Sequence, residues 1–140
     1  MSDDLEPRIA ALRRSAVFGA LDEPFLAHLA QSMAEVTFPA GHVLIEPRAA
    51  GSGMFVINEG TVVVQPRDVD PVELGAGEVV GELALLTKNG TRTARVQAVT
   101  EVRCLTLDRA TLQQALEDEP KLAIALLQAA VERLAAQILS

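Results

Sequence analysis

The sequence predicts a mainly β protein with flanking helices: an antiparallel, jelly-roll-like β-roll, preceded by N-terminal helices and followed by C-terminal helices. Three observations predict it. Leu5, Ile9 and Leu12, then Phe25, Leu26, Leu29 and Met33, recur at helical spacing in the first third of the chain. From Val36 to Leu107, short Val/Ile/Thr-rich stretches are broken by Gly, Pro, Asn and Asp about every eight to twelve residues, as in short antiparallel strands. After Leu107 helical spacing returns, with Leu112 and Leu116 on one face. The 140 residues read as one domain, helical over 1–34, a β-roll over 35–107 and C-terminal helices over 108–140.

Asp22-Glu23-Pro24 starts the second helix, because an aspartate side chain accepts from orphan helix N–H groups and proline tolerates the first turn. The expected strands are Glu35–Phe38, His42–Glu46, Gly53–Asn58, Thr61–Gln65, Val72–Leu74, Ala94–Val99 and Val102–Leu107. Asn58-Glu59-Gly60 and Asp68-Val69-Asp70-Pro71 carry turn chemistry. Asp108 caps a helix, and Pro120 opens a last one that runs nearly to Ser140.

Composition excludes whole classes of function. Nineteen acidic against twelve basic residues give a net charge of -7, which repels nucleic acid phosphates and anionic membrane, so neither DNA nor membrane is an expected partner. The longest wholly apolar runs, such as Leu122 to Leu127, stop far below the roughly 20 residues that span a bilayer. A single cysteine, Cys104, excludes an internal disulfide framework and fits a reducing, cytoplasmic compartment; in an apolar strand it reads as a small core residue. His28 and His42 are too few for a metal site, and no Walker loop, nucleophile elbow or Ser/His/Asp set is present. Neither catalysis nor a metal is expected.

One segment carries chemistry. Gly81 opens a compact apolar piece, Glu82-Leu83-Ala84-Leu85-Leu86, followed by the loop Thr87-Lys88-Asn89-Gly90-Thr91 and then Arg92-Thr93-Ala94. A glycine at the start of a short helical turn lets backbone N–H groups approach an anion, which the dipole of that turn favours. An arginine past a glycine-containing loop supplies a charge-assisted, bidentate contact to phosphate oxygens. Beside such a site Glu82 needs a donor, and a ribose hydroxyl is the natural one. An arbitrary Glu/Arg pair is a solvated ion pair worth about 0–1 kcal/mol; here the surrounding pattern favours a site. Alternation from Arg92 puts Arg95 on the opposite, exterior face.

Gly81-Glu82-Leu83-Ala84-Leu85-Leu86 and Arg92-Thr93-Ala94 match every defined position of the phosphate cassette of the cyclic nucleotide-binding domain family, which the sequence resembles from about Phe18 to Arg133. Phe38-Pro39-Ala40-Gly41, Met54-Phe55-Val56-Ile57 with Gly60-Thr61-Val62, and Leu74-Gly75-Ala76-Gly77 also fall where that family places them. Arg48 and Ser52 depart from it, since the family has a glycine and an aspartate near those places.

The resemblance implies a short cassette helix within 81–94 and a ligand, cAMP or cGMP, rather than a cofactor. It implies that Glu82 holds the ribose 2′-hydroxyl and Arg92 the exocyclic phosphate oxygens, with backbone amides near Leu83 and Ala94 completing the cradle. Thr93 becomes the base-sensitive position, and the last helix a lid with Arg133 as its ligand-capping candidate ahead of Gln128. The expectation is a stand-alone sensor whose output passes through another protein or another copy of the chain. The alternative is a structural or dimerisation domain that keeps the fold and binds no nucleotide.

The last helix carries two stripes. Ile124, Leu127, Val131, Leu134 and Ile138 recur at alternating spacings of 3 and 4, as in a two-stranded coiled coil, and suit either a homodimer seam or packing on the chain's own β-roll. Leu122, Leu126, Ala130 and Arg133 form the other row.

Overall fold

The computed structural model describes residues 5–46, 53–66, 70–81 and 94–139. Among the described residues, two helices, α1 (Leu5–Arg14) and α2 (Glu23–Gln31), precede eight strands. These are β1 (Ala34–Phe38), β2 (Val43–Ile45), β3 (Gly53–Glu59), β4 (Val62–Pro66), β5 (Val72–Leu74), β6 (Val79–Val80), β7 (Ala94–Ala98) and β8 (Val102–Asp108). Helices α3 (Arg109–Asp118) and α4 (Pro120–Leu139) follow.

The strands form two four-stranded antiparallel sheets, ordered β1-β8-β3-β6 and β2-β7-β4-β5. Both expected caps form: the Asp22 side chain accepts from the Phe25 backbone N–H at 3.0 Å, and Asp108 from that of Thr111 at 2.7 Å. Arg8 closes the other end of α2 by donating to the carbonyls of Ala30 and Met33 at 3.2 and 3.0 Å.

Two apolar cores share the first sheet. On one face Met54, Val56, Leu105 and Leu107 pack with Leu12, Phe18, Leu26, Leu112, Leu122 and Leu126 from the helical segments. On the other, Ile57, Val102 and Cys104 meet Val62, Val64, Val96 and Ala98 of the second sheet. Strand β6 divides itself between them, with Val79 in the helical core and Val80 between the sheets. The sequence gives no expectation of β6. Two residues, both buried, present no alternation to read.

The last helix resolves the choice between its stripes. Leu122 and Leu126 are 0% and 1% exposed, whereas Ile124, Leu127 and Val131 are 58%, 63% and 54% exposed. The seam stripe therefore does not pack on the chain's own β-roll at those positions. The row of Leu122 and Leu126 does the anchoring.

Candidate functional site

The two ends of the expected cassette are described, and they belong to different sheets. Gly81 directly follows β6, the edge strand of the first sheet, and Ala94 begins β7, an inner strand of the second. The segment joining them thus spans from one sheet to the other. Glu82, Leu83, Ala84, Arg92 and Thr93, with the expected short helix, lie outside the described residues, as do Arg48 and Ser52.

Gly81 has φ +88°, in the left-handed region that glycine enters without steric cost. Any other residue there would carry about 1–2 kcal/mol of strain. On the upstream side, the Gly77 N–H donates to the Ile57 carbonyl at 2.8 Å, and the Ile57 N–H to that of Glu78 at 2.9 Å. Ala16, just after α1, donates its backbone N–H to the Gly77 carbonyl at 3.4 Å. A Cβ at Gly77 would stand 2.9 Å from the Arg14 carbonyl oxygen, so this turn needs glycine for close approach as well as for its φ of +93°.

Half-buried apolar residues flank the inter-sheet core. Phe55 pairs with Val80, and Phe55, Leu74 and Ala94 are half-buried against that core. Phe55 lies beside the end of β6 and Ala94 opens β7, next to the two ends of the 82–93 segment, whereas Leu74 pairs with Val62 level with Ala98, at the far end of β7; composition alone did not mark them as site residues. The cue was available in the strand register, since Phe55 alternates with the buried Met54 and Val56.

Arg133 reaches β6 from α4. Its side chain is 21% exposed, and its Nη2 donates to the Val79 carbonyl at 2.8 Å and to Glu78 Oε1 at 3.4 Å. The carbonyl bond is the stronger element: a charge-assisted hydrogen bond contributes about 1.5–3 kcal/mol when shielded. The Glu78 carboxylate is 46% exposed, and its ion pair contributes about 0–1 kcal/mol after solvent screening.

The remaining candidates lie elsewhere. Arg95 is on the exterior, paired with Glu46 at 3.6 Å. His42 stacks on Phe38 with ring centroids 4.9 Å apart. His28 lines a cavity of about 250 Å³ between α2 and α3, with Phe25, Thr111 and Asp118. Cys104 is buried, and desolvation pushes its thiol pKa up to about 12, which keeps it protonated and unreactive.

With this geometry in place, comparison with known proteins is decisive for the class. Residues 35–119 match the cyclic nucleotide-binding domain, and the chain belongs to that family. It is 29% identical over 128 residues to a CRP-like cAMP-activated global transcriptional regulator of Mycobacterium tuberculosis, covering 88% of this chain and 57% of that protein. It is 36% identical over 117 residues to a cyclic nucleotide-gated potassium channel of Rhizobium etli, covering 84% of this chain and 32% of the channel. Among solved structures, the regulatory domain of Toxoplasma gondii PKA with cAMP superposes with a TM-score of 0.72 at 28% identity, covering 84% of this chain and 47% of that one. The chain thus spans little more than half of the regulator and a third of the channel. Residues 35–119, which match the cyclic nucleotide-binding domain, lie at the centre of the likeness. Among the described residues, no helix is long and apolar enough to cross a membrane.

Proposed function

We propose that this chain is a non-enzymatic cyclic nucleotide sensor, one domain over 1–140, that binds cAMP or cGMP at the 81–94 segment and reports occupancy through α4. The observation that carries the reading is the placement of the cassette pattern. The stretch with Gly81-Glu82-Leu83-Ala84 and Arg92-Thr93-Ala94 leaves one sheet at a left-handed glycine and enters the other beside half-buried apolar residues. A cyclic nucleotide needs that combination: donors and a cation for the phosphate, an acceptor for the ribose hydroxyl, and an apolar wall for the rings.

In this reading Arg92 binds the exocyclic phosphate oxygens and Glu82 accepts from the ribose 2′-hydroxyl. Backbone amides near Leu83 and Ala94 complete the cradle, and Thr93 discriminates between bases. The exposed stripe of Ile124, Leu127 and Val131 supports association with a second copy, and a downstream protein inside the cell receives the signal.

Calorimetric titration with cAMP, cGMP and 5′-AMP tests the function. Saturable binding of at least one cyclic nucleotide, well above 5′-AMP, is expected, and absence of binding would leave a structural or dimerisation domain. Thr93→Ala is expected to lower cGMP affinity more than cAMP affinity; equal losses would restrict Thr93 to the phosphate.

A further inference from the structure

Strand β6 is too short to hold itself in place. It has two residues and, among the described residues, pairs with one strand, β3, at the edge of its sheet. The structure supplies outside support at each end of the approach to Gly81. The segment after α1 bonds to the Gly77 carbonyl, and Arg133 of α4 bonds to the Val79 carbonyl. Gly81 then follows as a conformationally permissive joint into residues 82–93.

We propose that Arg133 is a positioning residue that couples the nucleotide loop to α4 by holding the Val79 carbonyl, rather than by touching the nucleotide. This rests on the reading of 82–93 as the nucleotide site. The contact works in both directions. It fixes the strand from which the loop departs, and it fixes the rotation of a helix whose far face exposes Ile124, Leu127 and Val131. A shift of β6 by about 1 Å would take the 2.8 Å contact outside hydrogen-bond range and remove this tie between β6 and α4. Because such coupling is reciprocal, nucleotide binding changes the setting of α4, and anything that fixes α4 changes nucleotide affinity. Glu78 steers the guanidinium and has the secondary role, since its contact is longer and its side chain more exposed.

Amide hydrogen exchange on the whole chain, with and without saturating cAMP or cGMP, tests this in wild type, Arg133→Gln, Arg133→Lys and Glu78→Gln. Without nucleotide, Arg133→Gln is expected to speed exchange several-fold at 77–81 and toward the end of α4, while β1 and β8 stay unchanged. With nucleotide, the wild-type change in α4 exchange is expected to vanish in Arg133→Gln although the variant still binds. Arg133→Lys, which keeps one donor for the carbonyl, is expected to restore part of the response, and Glu78→Gln to retain most of it. Unchanged exchange at 77–81 in Arg133→Gln would overturn the proposal, as would an α4 response equal to wild type. Loss of affinity in Arg133→Gln with 77–81 unaltered would mark a direct nucleotide contact instead. If the wild type binds no nucleotide, the functional reading fails, and the nucleotide-free exchange comparison still decides whether Arg133 holds β6.

Discussion

Leu126 is 1% exposed, and Leu127, the next residue on the same helix, is 63% exposed. The two are the same residue type on one helix, and they differ in the direction set by a rotation of about 100°. The inner row, Leu122 and Leu126, closes the helical core over Met54, Val56 and Leu107. The outer row, Ile124, Leu127 and Val131, has the more regular coiled-coil spacing and stands in solvent. Periodicity therefore identifies an apolar stripe without identifying what covers it. The inner row is committed to the fold, and the outer row is available for association.

Leu126→Ala is expected to have the largest effect, destabilising the fold by about 2–5 kcal/mol through lost burial and a residual cavity. Denaturant unfolding would show it as a large fall in the midpoint. A loss no greater than that of Leu127→Ala would erase the distinction between the rows.

The end of β8 provides a test of intermediate size, because Asp108 links the sheet to α3 and hence to the base of α4. Asp108→Ala is expected to cost about 0.5–2 kcal/mol through loss of the cap. The backbone N–H of Thr111 first, and its side chain second, hold the Asp108 pKa below its ordinary value of 3.8. A carboxylate with a depressed folded-state pKa adds stability above its ordinary value, and that contribution disappears as pH falls from there through the folded-state pKa. Asp108 is exposed, so solvent screening keeps the pH effect small. Acid unfolding curves of wild type and Asp108→Ala should converge as pH falls from 3.8 through the depressed folded-state pKa; parallel curves throughout would show that the cap does not form.

Leu127→Ala is expected to change monomer stability least, within about 0.5 kcal/mol, since it removes an exposed side chain. Its effect should appear in sedimentation instead, as weakened self-association. A wild-type chain that is monomeric with and without nucleotide would remove the dimer role from this face.

Much of the fold was legible because its cues are local. Asp22 and Asp108 announce helix starts through their own side chains, and each accepts the N–H three residues on. The strands from Ala34 to Asp108 follow from turn residues between apolar runs, and their limits shift by about one residue from those expected. Strand β6 was not legible, because Val79 and Val80 face two different cores. The bond from Arg133 to Val79 was not legible either: it joins residues 54 apart and ends on a backbone carbonyl, which no side-chain pattern records. The start of β7 at Ala94 was legible from the apolar residues that follow it. The half-buried positions of Phe55 and Leu74 depend on how the two sheets face each other.

In the proposed function Arg92 holds a cyclic phosphate, whereas its neighbour Arg95 serves the exterior. Parallel calorimetric titrations of cAMP and cGMP into wild type, Arg92→Ala and Arg95→Ala test it most directly. Removing a charge-assisted phosphate contact is expected to weaken binding by Arg92→Ala by about 1.5–3 kcal/mol, or roughly ten- to a hundred-fold, with the fold intact. Arg95→Ala, which breaks only the exposed pair with Glu46, is expected to bind like wild type. Equal affinity in wild type and Arg92→Ala, or binding of neither nucleotide by wild type, would contradict the account.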